Sequence, residues 1–513
     1  MKRMLCFMFL LDGLLVNAQH TYYVNSLDGN DNNSGTSSKR AWRTIDKLNH
    51  ILFKPGDKIL LKAGQTFEGN IFLDSLDSGT VDKPIIVSSY GKGQAIIRAG
   101  KSNGIAANDI SFVNVSKLYL VGDGVDKNAG SGIHFSSDRT DHVCTRIRID
   151  DCIAEGFHDY GILFSCANDE SVTGFDDVRI TNCTVLLNGE AGIGSYGGLK
   201  SFHHKNFYVG NCKAFLNKGI LDKTENHSGN GIVMGDVDNL LIESCEAYAN
   251  GENNRSKGGG PVGIWMWMCK NGVIQHCESH HNHAGLLTDG GGFDIDGGSS
   301  NCIMQYNYSH DNEGAGFLLA EYGADLPFTN NTIRFNISEN DGRKNSYGGI
   351  TVWGVDSLHR VNDCKVYNNT IYMTDSNIVD GVPAAVALFG NNFKHVLIAN
   401  NIICASRLTT LLRTDSPIDT SIVYFVGNNY CGANWRPPGQ AQETFNGLDE
   451  RTGTALLFNA GLKGAAKFHP RNADALKKTG VDLKHAFGIE TGSKDFFGKD
   501  LQGASKLVGA ASQ

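Results

Sequence analysis

Proline is scarce in this sequence, nine in 513 residues, whereas glycine numbers 62, well above the usual share of about 7%. Many turns with few prolines suit a chain of short strands. Long apolar runs are also missing. Only the first residues hold one, from Met4 to Val16, behind Lys2 and Arg3 and ahead of the small-residue site Val16-Asn17-Ala18. Asp12 interrupts it, yet the pattern reads as an export signal over residues 1–18. No later run reaches the ~18 residues that a membrane-spanning helix needs. The expectation is therefore a secreted protein, periplasmic or extracellular, cleaved near Ala18 and Gln19. A basic excess is lacking too. With Lys2, Arg3 and Asp12 set aside, 44 basic side chains face 53 acidic ones, a net charge of −9. Affinity for nucleic acid rests on clustered Lys and Arg, so nucleic acid is not expected as a partner.

What is present is a repeat. The segments "RITNCTVLLN", "YVGNCKAFLN", "LIESCEAYAN", "VIQHCESHHN", "IMQYNYSHDN", "IRFNISEND", "KVYNNTIYM" and "LIANNIICA" align in one register. Cys152, Cys183, Cys212, Cys245, Cys277, Asn307, Asn336, Asn369 and Asn401 mark it, in steps of 31, 29, 33, 32, 30, 29, 33 and 32 residues. A period near 30 with an apolar strand ahead of the marked position predicts a solenoid, because no rung buries its own apolar face. The cysteines are expected to stack as small buried side chains, with disulfides between neighbouring rungs as the minor alternative and metal binding less favoured still. The asparagines should hydrogen-bond from rung to rung, as should a second column at Asn188, Asn217, Asn250, Asn282 and Asn312.

Each rung also carries a second strand: "GILFS", "GIGSY", "GIVMG", "GIWMW", "GFDID", "GFLLA", "GITVW" and "AVALF". Alternation of period two sends one set of side chains inward and the other outward. Ile162, Ile193, Ile232, Ile264, Phe293, Phe317, Ile350 and Val386 form the inward stack. The outward pairs on adjacent rungs include Trp265 with Trp267, Asp294 with Asp296, and Thr351 with Trp353. "TDGGGFDIDGG" thus presents two carboxylates beside two tryptophans on an outer face, with Asp289 in the entering turn. The competing reading is that long loops cover this face and the tryptophans are core.

This organisation resembles the right-handed parallel β-helix carbohydrate-active enzymes of the pectate-lyase-like superfamily, over most of the mature chain. The strand motifs look most like those of secreted bacterial β-helix glycoside hydrolases. The resemblance implies an all-β, right-handed parallel β-helix with an amphipathic N-terminal capping helix at "AWRTIDKLNHIL". It also implies an entry region and first coils over 19–100, a catalytic solenoid over 101–434 and a C-terminal coil or cap over 435–513.

Three activities compete on these residues. Paired carboxylates suit glycoside hydrolysis, in which one acid donates a proton and a second carboxylate acts as base or nucleophile. Asp294, Asp296 and, if its side chain turns outward, Glu321 are the catalytic candidates. Trp265, Trp267, Trp353, Tyr196, His281, His283 and Asp236 are the candidates for binding sugar, while His280 and His310 share a rung position and are expected to stack. The second activity is Ca²⁺-dependent β-elimination on uronic-acid glycans, with Asp289 as a metal ligand. It needs a Lys or Arg base. Leu318 stands where some β-helix lyases carry that lysine, leaving Lys270, Arg343 or Lys344 to reach in from loops. The third is binding of a glycan without turnover. Hydrolysis is favoured and requires no cofactor; Ca²⁺ enters only with the metal reading. The partner is a polysaccharide or oligosaccharide, and a monomer is expected.

Overall fold

A computed structural model describes residues 19–166, 173–198, 200–431, 458–459, 461–470, 480–501 and 506–512. The expected export signal over 1–18 lies outside them, as does most of 432–479. From Thr21 to Cys431 the chain winds as a parallel β-solenoid. A typical rung supplies Cys144–Asp150, Ile153–Glu155 and Tyr160–Cys166 to three sheets of 14, 13 and 12 strands, in which rungs follow one another in sequence order. The expected alternation explains the core. Ile162, Ile193, Ile232, Ile264, Phe293, Phe317, Ile350 and Val386 share one register along the 12-stranded sheet. None is more than 1% exposed, and burying each such side chain contributes roughly 1.5–3 kcal/mol. The rings of Phe293 and Phe317 stack at 5.1 Å.

The marked column is a run of sharp corners. Asp151, Asn182, Asn211, Ser244 and His276, each just ahead of a column residue, have φ between +51° and +55°. Short polar side chains tolerate that left-handed backbone better than most. Behind the corner, the Cys212 amide donates to Cys245 Sγ and the Cys245 amide to Cys277 Sγ, both at 3.4 Å. The Cys277 amide then donates to Asn307 Oδ1 at 3.0 Å, so sulfur and amide oxygen serve the same backbone donor in turn. From there Asn307, Asn336 and Asn369 each donate a side-chain amide to the next rung's asparagine, at 3.1, 3.1 and 3.0 Å. The second column runs from Asn188 through Asn217, Asn250, Asn282 and Asn312 at 2.9–3.1 Å, and ends on Asp341 at 2.8 Å. The column cysteines are free and buried. Among the described residues the disulfide joins Cys404 to Cys431, partners across adjacent strands.

One expectation changes. The segment expected to form an amphipathic helix holds only a 3₁₀ turn, Ile45–His50, with Ile45 and Leu48 buried. The described C-terminal residues do not extend the outer face that carries the acids. Phe458, Phe468, Val508 and Ala510 instead pack against Tyr308, Ile337 and Ile402 on the 13-stranded sheet. The short helix Leu483–Phe487 sits near Tyr367 and Leu397.

Candidate active-site cleft

The outer face of the 12-stranded sheet forms a cleft of about 1150 Å³. Its floor comes from the strands Val262–Trp267, Gly291–Asp296 and Gly348–Gly354. Register sets the neighbours: Trp265 lies beside Asp294, and Trp267 beside Asp296. On the far side Trp353 pairs with Ala320 on one strand and Phe389 on the next. The flat aromatic floor depends on small neighbours. Gly235 stands opposite Trp267, and a Cβ there would come within 2.3 Å of the indole. Trp265 is largely buried, 5% exposed, and is fixed by its indole N–H, which donates to Asn230 Oδ1 at 3.1 Å.

Four carboxylates line this cleft: Glu190, ion-paired with Lys223 at 2.6 Å, and three aspartates, Asp289, Asp294 and Asp296. Asp289 occupies the entering turn with φ +57°. Its Oδ2 accepts from the Gly260 amide at 2.6 Å and its Oδ1 from the Tyr347 hydroxyl at 2.8 Å. Asp294 is 3% exposed, and its Oδ1 has no hydrogen-bond partner. Asp296 accepts only from the adjacent Gly297 amide, at 2.8 Å. Burial raises the pKa of all three. For Asp294 the charges of Asp296 and Asp289 add to burial; for Asp296 those of Asp289 and Glu321 do, and both groups lie well above the usual carboxylate range. Asp289 is raised by burial, but its bonds from Tyr347 and Gly260 oppose that shift. Among the three aspartates, Asp289 has two donors that favour its charged form, whereas burial favours the protonated forms of Asp294 and Asp296.

Several expected residues do not reach the cleft. Glu321 is 1% exposed and turns away from it. Its carboxylate accepts the amides of Gly323 and Ala324 at 2.6 and 2.9 Å, and that of Gly298 at 3.4 Å. It ties the turn after Asp296 to the turn after its own strand. Asp236 is buried behind the cleft, 2.7 Å from His203 Nδ1. His281 is a rung corner at φ +53°, its Nδ1 2.9 Å from His280 Nδ1. His280 and His310 stack at 4.6 Å, as the repeat predicts. His283 lies outside the cleft lining, 3.0 Å from Glu313 Oε1. Tyr196, Trp265, Trp267 and Trp353 do line it. Asp289 joins neither group of metal-ligating side chains found among the described residues.

Tyr347 and Asn230 were not expected. Tyr347 comes from an irregular approach to its strand, which the period does not mark. Asn230 did leave a trace. Its register position holds Ala191 one rung before it and Val262 one rung after, so a polar side chain there breaks the pattern. The candidate lyase bases are also accounted for. Arg343 is buried and donates to the carbonyls of Asp341, Thr374 and Ser376, and Lys344 donates to the Gly285 carbonyl. Lys270 bridges Asp238 and Ser300 on the 14-stranded face. Among the described residues, no Lys or Arg lines the cleft.

Residues 145–405 match the family described as the right-handed β-helix region, and the chain belongs to it. Within that class, the chain is 27% identical over 471 aligned residues to a lacto-N-biosidase of Bifidobacterium longum subsp. longum. The match covers 72% of this chain but only 28% of that relative's length. Among solved structures, the fold is similar to that of the GH136 lacto-N-biosidase from Eubacterium ramulus. The TM-score is 0.55 at 17% identity, covering 79% of this chain and 68% of that one.

Proposed function

We propose that this chain is a secreted glycoside hydrolase acting on an oligosaccharide, of the kind named by its lacto-N-biosidase relatives. The observation that carries this is the cleft itself: four carboxylates, three of them aspartates grouped on a floor of aromatic rings, with no Lys or Arg among the lining residues described. Glycosidic cleavage needs a proton on the leaving oxygen and a negative carboxylate on the reacting carbon or on the water that attacks it. Asp289, stabilised as an anion by Tyr347 and Gly260, takes the second role. The Asp294–Asp296 pair takes the first, with Asp296 the more exposed member and the proton donor. Asp294, buried without a partner for Oδ1, keeps its proton, while burial and the charges of Asp289 and Glu321 favour the proton on Asp296. Glu321 supports Asp296 through the Gly297–Gly298 turn and through its charge.

Trp267 and Trp353 offer apolar faces to sugar rings, with Trp265 packed largely buried against Trp267, and Tyr196 forms part of the wall. β-Elimination would need a base to remove a proton beside a uronate, and no Lys or Arg lines the described cleft. Export follows from the N-terminal signal pattern, and N-terminal sequencing of secreted protein should start near Gln19. The activity is tested by offering a chromogenic lacto-N-bioside and a panel of oligosaccharides, with release of new reducing ends as the readout. Turnover of at least one member, lost in Asp289→Asn and Asp296→Asn, is the expected result. Retarded migration on glycan gels with no turnover of any member would make this a binding protein.

A further inference from the structure

Behind the wall of the cleft, three successive rungs turn a corner and bring together Cys166, His204 and Asp236. All three are buried, at 2%, 0% and 0% exposure. Each offers a metal-ligating atom, and these atoms lie within 4.8 Å of one another.

The surroundings fix the chemistry of each group. His204 Nε2 lies 3.1 Å from the Tyr196 carbonyl oxygen. A carbonyl only accepts, so Nε2 carries the ring proton and Nδ1 is left with a bare lone pair. That Nδ1 is buried and has no hydrogen-bond partner. A buried unmatched nitrogen is costly, about 1–3 kcal/mol, unless something occupies its lone pair. Metal-binding histidines are held in the same way, one nitrogen donating to a backbone carbonyl while the other meets the ion. Asp236 is oriented too, by the ring of His203 at 2.7 Å and by the His203 amide at 3.2 Å. The space between the groups is kept clear by Gly197. A Cβ on that residue would come within 1.9 Å of Asp236 Oδ2 and 2.8 Å of Cys166 Sγ.

We propose that Cys166, His204 and Asp236 form a binding site for a transition-metal ion, Zn²⁺ in particular. Thiolate, imidazole and carboxylate are all zinc ligands, at about 2.3, 2.0–2.1 and 2.0–2.2 Å. Tetrahedral placement at those lengths puts donor atoms roughly 3.3–3.6 Å apart, so small side-chain movements close the site. The role is structural. His204 bonds the Tyr196 carbonyl, and Tyr196 and Gly197 line the cleft; an ion on Nδ1 would lock that wall from behind. Binding requires the Cys166 proton to leave, so loading releases acid. The site is independent of whether the cleft hydrolyses a glycan.

The test uses the full mature chain, produced with zinc and freed of loose metal by gel filtration. Metal analysis should find zinc retained at about one equivalent per chain. Protein refolded with Co²⁺ should show the thiolate-to-cobalt charge-transfer band, which reports sulfur ligation directly. Cys166→Ser should lose that band, and both Cys166→Ser and His204→Gln should lose most of the zinc. The surface group His280, His281 and His310 is the other set of potential ligands among the described residues, so His281→Ala should keep both signals. Folded wild-type protein that retains no zinc and gives no cobalt band overturns the proposal, whether or not the variants fold. So does loss of the metal in His281→Ala, or a cobalt band that survives in Cys166→Ser.

Discussion

Tyr347 reaches across 58 residues of sequence to donate its hydroxyl to Asp289 Oδ1 at 2.8 Å. The bond joins two irregular segments that flank the regular strands, and it marks Asp289 as the aspartate in the cleft best prepared to carry charge. Tyr347→Phe removes that donor. A hydrogen bond to a charged group contributes about 1.5–3 kcal/mol, and one pKa unit corresponds to about 1.4 kcal/mol. Asp289 is then harder to ionise, so the acid limb of kcat/KM should move to higher pH by about one unit. A pH–rate profile checks it, and an unmoved acid limb would remove Asp289 from the role of anion.

Replacing the acids separates chemistry from stability. Asp289→Asn and Asp296→Asn should each lower kcat by about 10²–10⁴-fold, the range expected for acid–base groups, with the melting temperature unchanged or raised. Relief of mutual repulsion among buried carboxylates explains the second half of that expectation. Single-turnover kinetics and calorimetry on the same preparations decide it.

Glu321→Gln should behave differently. The carboxylate accepts three backbone amides in two turns; an amide side chain offers one oxygen and brings donors of its own. The expected loss is about 1–3 kcal/mol of stability, read by chemical denaturation. The fall in kcat should be smaller than for Asp296→Asn. A Glu321→Gln variant as stable as the wild type but inactive would return Glu321 to the chemistry.

Asp341, which ends the asparagine ladder, provides a test of the fold through pH. Burial holds its pKa up at about 6, against the donors Ser338 and Asn312. A folded pKa raised above the unfolded value of 3.8 means that the folded state prefers the protonated acid. The stabilisation is therefore complete below pH 4 and is lost as pH rises through 6, by roughly 3 kcal/mol in all. Asp341→Asn continues the ladder without a titrating group, so it should gain stability relative to wild type at pH 8 and show little difference at pH 4. Urea denaturation at both values measures it.

The solenoid was legible because its signals repeat. One cysteine or asparagine says little, but nine in register at steps near 30 fix the rungs, and alternation along "GFDID" then fixes which side chains face out. That logic correctly brought Asp294, Asp296, Trp265 and Trp267 together. Expectations failed where a strand ends or the backbone leaves it. Glu321 is the last residue of the strand Phe317–Glu321, where alternation sets it in phase with buried Phe317 and Leu319. The outward turn that a catalytic role required did not occur, and the turn amides hold it instead. His281 is a left-handed corner residue, so it faces away from the cleft although it is close in sequence. Asp289 precedes the strand, where alternation assigns it no face, yet its carboxylate lines the cleft. Tyr347 gave no signal at all, since its partner is two rungs away and neither residue belongs to the repeat.

The central claim is that the cleft acids hydrolyse a glycosidic bond. The most direct measurement is incubation of the purified chain with an oligosaccharide panel, following reducing ends and unsaturated-uronate absorbance together. New reducing ends without unsaturation, abolished by Asp296→Asn and unaffected by a calcium chelator, are predicted. Unsaturated products, or reducing ends released at an undiminished rate by both Asp289→Asn and Asp296→Asn, would contradict it.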